Sequence, residues 1–264
     1  MATTPQLFIK LAIVLAIWYL VSTLPRAWIG TCVDGECGFS AREIIVSIAL
    51  PLLAVTFTVT MEMRLFRRNL GQALDNLGLT RLNIGSLRLA GLILLPLLAF
   101  YPLYSLLADV PVGLVPNWPW LLLGAFLYNG LNEETIFRGL IFRHLRAGRT
   151  FWRAATLSVL YFAGAHVPLI FSSNLPVGLV SILYAIPTGY LLAYLYERGR
   201  NTVWGCVLFH AVNNGVPFIA LVSPTGQLIA SLLYLLVGFI TTGGFMVWVF
   251  RSRQLSQEAR NALV

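Results

Sequence analysis

Apolar residues run along this chain in long blocks rather than in the alternation of a sheet or the stripe of a surface helix. Eight blocks are long enough to cross a bilayer core, which takes about 20 apolar residues. They cover Leu7–Leu24, Ile44–Met61, Leu87–Leu107, Trp118–Phe137, Ala154–Phe171, Pro176–Tyr196, Val203–Leu221 and Leu228–Phe250. The pattern predicts an all-α, polytopic membrane protein of about eight transmembrane helices. No internal repeat or domain linker breaks the order. The connector Glu62–Arg88 mixes arginines with Leu65, Phe66, Leu70, Leu74, Leu77 and Leu79. That mixture suits an amphipathic surface helix, or a basic connector with incidental leucines.

Three blocks hold polar residues that a lipid-facing helix avoids. The fourth carries Asn129, Asn132, Glu133, Glu134 and Arg138, the fifth His166, and the seventh His210, Asn213 and Asn214. An ionisable group inside a membrane helix costs ~3 kcal/mol or more and marks a candidate functional site. Helical spacing sorts them. Glu134 and Arg138 are four apart and suit an ion pair, as Phe162 shares a face with His166 and His210 with Asn214. Glu133 lies ~100° around the helix from Glu134, so the two carboxylates cannot serve one partner equally. Counting from Arg146, Arg153 and Arg200 puts Glu133, His166 and His210 roughly 15–20 Å from those arginines, in one layer.

Composition agrees with the pattern: 58% of the 264 residues are hydrophobic and 11% charged, with mean hydropathy +0.80. A soluble domain carries about 25% charged residues. The net charge of +8 is nearly all arginine, Lys10 being the only lysine. Arginine-rich loops on one side of a membrane explain it without nucleic acid. With eight spans, all of the 18 basic residues except Arg26 and Arg42 fall on one side. Both termini are therefore expected in the cytoplasm and the layer open toward the cytoplasmic half. The polar loop with Cys32 and Cys37 is then external, where a disulfide between them is possible. Cys206 lies in an apolar block, and no cleavable signal peptide is apparent. His144, in a basic connector, reads as a surface residue.

The layer supports hydrolysis. A carboxylate in an apolar surrounding can take a proton from water near neutral pH. One histidine can hold that water, while the other and the Asn214 amide donate to a developing oxyanion. Glu133, His166 and His210 could instead ligate a divalent metal such as zinc, with water in the open position. H-E-x-x-H is absent. Neither Cys206, one turn from His210, nor Ser158 or Ser181 has the partners of a nucleophile. A non-catalytic protein holding a membrane peptide and a proton-coupled transporter are the other readings. The transporter lacks inverted repeats or paired broken helices.

Glu133-Glu134-x-x-x-Arg138, Phe162-x-x-x-His166 and His210-x-x-x-Asn214, in this order on successive helices, resemble the signature of the CPBP family. This is the Abi group of intramembrane endopeptidases related to type II CAAX prenyl proteases. The match covers roughly residues 118–222, taken as a catalytic core between an N-terminal part (1–117) and a last helix with basic tail (223–264). The resemblance implies that Glu133 activates water with His166, that His210 and Asn214 stabilise the oxyanion, and that Glu134, Arg138 and Phe162 order the site. It leaves open a glutamate-centred or a metal-dependent mechanism. It also implies a membrane-associated peptide or protein as substrate, or a role in bacteriocin immunity, in a bacterial cytoplasmic membrane.

Overall fold

A computed structural model describes residues 4–27, 41–116, 118–172, 175–222 and 224–261. The chain is a bundle of helices, as the blocks predict. Helices α1 (Thr4–Ala27), α2 (Ala41–Leu65), α3 (Leu70–Asn76) and α4 (Ile84–Ala108) precede a helical stretch from Trp118 to Arg146. That stretch opens as α5 (Trp118–Ala125), widens to π-helix over Phe126–Asn132 and Thr135–Phe142, and closes as α6 (Arg143–Arg146). Next come α7 (Phe151–Gly164), α8 (Leu169–Ser172), α9 (Leu175–Arg198), α10 (Trp204–Ile219) and α11 (Pro224–Asn261). The strands β1 (Gly113–Leu114) and β2 (Ala220–Leu221) form a two-residue antiparallel pair tying the approach to α5 to the end of α10.

Six described helical segments are long and apolar enough to cross a membrane: Pro5–Ser22, Ile48–Leu65, Ile84–Ala108, Phe151–Phe171, Leu175–Arg198 and Gly226–Ser252. The chain is a multi-pass membrane protein. The two expected spans that fall outside this set are the stretch from Trp118 and α10. The first is interrupted by Glu133, Glu134 and Arg138, and the second has only 16 residues. They are the two that carry most of the polar layer. α10 is packed on several sides, against Phe126–Asn132, α4, α5 and α9, and the first stretch is buried around its polar residues while Trp118, Trp120 and Phe126 stay exposed. Leucines exposed on α4, α9 and α11 face outward, as a lipid-contacting shell requires.

Two expectations about the basic segments change. The connector Glu62–Arg88 is not one amphipathic helix. Backbone φ turns positive at Arg67, Asn69 and Gln72 form a capping box that starts α3 afresh, and α3 lasts seven residues. Leu77 is fully buried. His144 is not a free surface residue either: its Nε2 lies 2.7 Å from Oε2 of the buried Glu62, and its ring stacks on Phe66 at 3.5 Å. Glu62 also takes Asn76 Nδ2 at 2.7 Å and Arg68 Nε at 2.8 Å, so four polar groups knot α2, α3 and α6 together. Cys32 and Cys37, with the pairing expected of them, lie outside the described residues.

Candidate active site

The site begins with a close approach. Gly130 faces α10, where a Cβ would lie 3.0 Å from the Val207 carbonyl and 3.3 Å from Ala211 Cβ. Only a glycine lets the two helices meet there without displacement. One turn onward the π-helical backbone sets the acidic pair: Glu133 N–H reaches back to the carbonyls of Gly130 and Tyr128. Such i→i−5 bonding is rare and concentrates at functional sites.

The two carboxylates diverge as the helical geometry requires, and one imidazole meets both with different nitrogens. His210 Nδ1 lies 2.7 Å from Glu134 Oε1, and His210 Nε2 lies 4.0 Å from Glu133 Oε2. A carboxylate accepts, so Nδ1 carries a proton, and in that neutral tautomer Nε2 is left as the acceptor. The 4.0 Å gap is too long for a direct hydrogen bond and short enough for one bridging water. Asn129 Nδ2 donates to Glu133 Oε1 at 3.3 Å, which leaves Oε2 turned toward His210.

Glu134 is fully buried and serves two partners. Besides His210 it pairs with Arg138, whose Nε lies 3.3 Å from Oε2 and whose guanidinium donates to Oε1 at 3.4 Å. Arg138 donates in addition to the Gly189 carbonyl on α9 at 3.3 Å. A buried ion pair is stable only when its remaining hydrogen-bonding capacity is met, and the Gly189 carbonyl helps meet it. Gly189 is tight: a Cβ there would lie 2.9 Å from Val159 and 3.3 Å from Phe162.

Phe162 is the common wall. The Arg138 guanidinium sits 4.4 Å from its ring centroid, the His166 ring 4.9 Å away edge-on and the His210 ring 5.8 Å away edge-on. His166 itself stands in the turn after α7, with Nδ1 donating to the Phe162 carbonyl at 2.8 Å. It therefore shows the same tautomer as His210. Among the described residues no direct hydrogen bond or ion pair links His166 to Glu133; His210 is the histidine that faces it.

Asn214 is oriented by residues the sequence did not single out together. The Tyr184 hydroxyl on α9 donates to Asn213 Oδ1 at 2.5 Å. Asn213 Nδ2 then donates to Asn214 Oδ1 at 2.8 Å, which holds the Asn214 amide oxygen toward Asn213. The Asn213 carbonyl takes Tyr234 OH at 3.1 Å. Trp18 of α1 donates its indole N–H to Asn132 Oδ1 at 2.8 Å, which brings a helix without any motif to the edge of the site. A tyrosine and a tryptophan in apolar blocks carry no signal in sequence, because each is equally at home facing lipid.

The donor set does not fit a metal. Zinc takes three protein ligands in a catalytic site, and among the described residues no three His, Cys, Asp or Glu side chains converge to hold an ion. Glu134 and His210 Nδ1 are spent on each other, and Arg138 already places a positive charge beside them.

Two comparisons bear on this arrangement. Residues 115–216 match the family model of type II CAAX prenyl endopeptidase Rce1-like proteins. The matched segment spans α5 through most of α10, and so contains every residue of the three motifs. No curated protein matches the chain.

Proposed function

From a chain whose residues 115–216 match the type II CAAX prenyl endopeptidase Rce1-like family model, we infer an intramembrane endopeptidase whose attacking water is activated by Glu133. The observation that supports this reading is the 4.0 Å gap between Glu133 Oε2 and His210 Nε2, walled by Phe162 and held open by Glu134. A water there gives one hydrogen to the carboxylate and the other to the imidazole. The resemblance pairs Glu133 with His166; we assign the water's second hydrogen to His210, because its Nε2 is the one turned toward Glu133.

Glu133 takes a proton as the water oxygen bonds to the carbonyl carbon of the scissile peptide. The carbonyl π bond opens and its oxygen becomes an oxyanion, to which we assign the Asn214 amide as donor. The tetrahedral intermediate collapses, the C–N bond breaks, and Glu133 returns the proton to the leaving nitrogen. Glu134 fixes the His210 tautomer and Arg138 balances its charge. His166 lies beside the same Phe162 ring. The substrate is a membrane-associated peptide or protein, and the arginine-rich face is assigned to the cytoplasm.

Comparing the membrane peptides of wild-type and Glu133→Ala cells tests the reading and identifies the cleaved bond. Fragments present only with the wild type support hydrolysis. Identical profiles, together with biological protection retained by Glu133→Gln, would instead mean a non-catalytic peptide-binding protein. Separate His166→Ala and His210→Ala variants are expected both to lose cleavage, His210→Ala the more.

A further inference from the structure

A second polar cavity lies away from the site, at the arginine-rich end of the bundle. It has a volume of about 150 Å³ and is bounded by the loop after α3, by α6 and by the turn between α9 and α10. Three arginines line it, Arg81, Arg143 and Arg200, against one carboxylate, Asp75. Asp75 is engaged on its own rim: it accepts from Thr80 at 2.8 Å and pairs with Arg81 at 3.3 Å. Among the described residues neither Arg143 nor Arg200 has a carboxylate partner; Arg143 Nε donates only to the neutral Asn76 amide oxygen, at 3.4 Å. Thr202 is 4% exposed and lines the cavity, and its hydroxyl has no hydrogen-bond partner. A buried hydroxyl left unpaired is unfavourable, so an acceptor that meets it is favoured.

We propose that this cavity binds a phosphate group. Two uncompensated guanidiniums and an orphaned hydroxyl donor match a tetrahedral oxyanion, which arginine forks recognise through paired N–H bonds. The volume is well below the ~300 Å³ at which pockets for drug-sized ligands begin, so one phosphate fits and a nucleotide does not. Position favours the headgroup of an anionic phospholipid as its carrier. Residues 75–81 precede the span Ile84–Ala108 and residues 200–202 follow the span Leu175–Arg198, so the cavity opens at headgroup level. Its walls are coupled to the active-site helices. Val203 N–H donates to the Gly78 carbonyl at 3.2 Å and Trp204 Nε1 to the Leu79 carbonyl at 3.3 Å, directly before α10. Arg143 lies on the helical stretch that bears Glu133, at the start of α6. The proposal is independent of the hydrolytic reading.

Thermal unfolding of the whole protein tests it, with two sources of phosphate. In detergent, inorganic phosphate is titrated against sodium chloride at equal ionic strength. In bilayer discs, phosphatidylcholine is compared with phosphatidylcholine containing phosphatidic acid. Saturable stabilisation in either arm is expected, and which arm responds identifies free phosphate or the lipid headgroup. The Arg143→Gln/Arg200→Gln double variant should weaken it about tenfold or more. Thr202→Val, which keeps every charge, should weaken it about threefold and decides the matter if the double variant does not fold. Absence of saturable stabilisation in both arms, or an undiminished effect in Thr202→Val and the double variant, overturns the proposal.

Discussion

Tyr184 donates to Asn213 Oδ1 at 2.5 Å, and Asn213 in turn fixes which end of the Asn214 amide faces it. Tyr184→Phe removes the hydroxyl that, among the described residues, sets this polarity, so Asn213 and Asn214 are free to flip. We expect kcat to fall about tenfold with KM nearly unchanged, short of the ~10²–10³ loss for Asn214→Ala that removal of an oxyanion donor brings. Steady-state kinetics on the identified substrate separate the two. Glu134→Ala acts otherwise. It strands the buried Arg138 and His210 Nδ1, and breaking a buried pair costs ~3–5 kcal/mol, read as a lower unfolding midpoint even before activity is assayed. At this scale the sequence was legible where spacing alone carries the contact: Glu134–Arg138 and Phe162–His166 are both four apart and both touch. It was silent on Glu134–His210, 76 residues apart, because no local rule reports which face of one helix meets another.

The elements show where sequence patterns mislead. The stretch from Trp118 reads as one span, yet its backbone widens to π-helix around Glu133 and Glu134, a change no hydropathy pattern records. The connector Glu62–Arg88 reads as an amphipathic surface helix or a basic connector with incidental leucines, yet Asn69 caps a new short helix and the buried Glu62 gathers Arg68, Asn76 and His144. Charge composition marks that region as basic without revealing that one acid organises it. Gly130 sets the spacing of the two motif helices, so Gly130→Leu should push Val207 and Ala211 away. Overpacking of this kind costs ~1–3 kcal/mol and widens the Glu133–His210 gap. A lowered unfolding midpoint with reduced cleavage is the expected pair of results. Retention of both would show that the approach is not what builds the site.

For the whole molecule, composition alone established a membrane-embedded helical bundle. The count of spans was less legible: two of the eight expected are short or polar helices sheltered by the rest. They are the helices with the chemistry, which is why they depart from the pattern of a lipid-facing span. The arginine bias makes a further prediction about orientation. A reporter fused after Val264 that is active only in the cytoplasm should be active, and one active only outside should be silent. The central claim, that Glu133 activates the attacking water, is tested most directly by the turnover of purified Glu133→Gln on the identified peptide. The substitution keeps the volume and removes the base, so turnover should fall by about 10²-fold or more at an unchanged unfolding midpoint. Cleavage by Glu133→Gln at the wild-type rate would contradict the account.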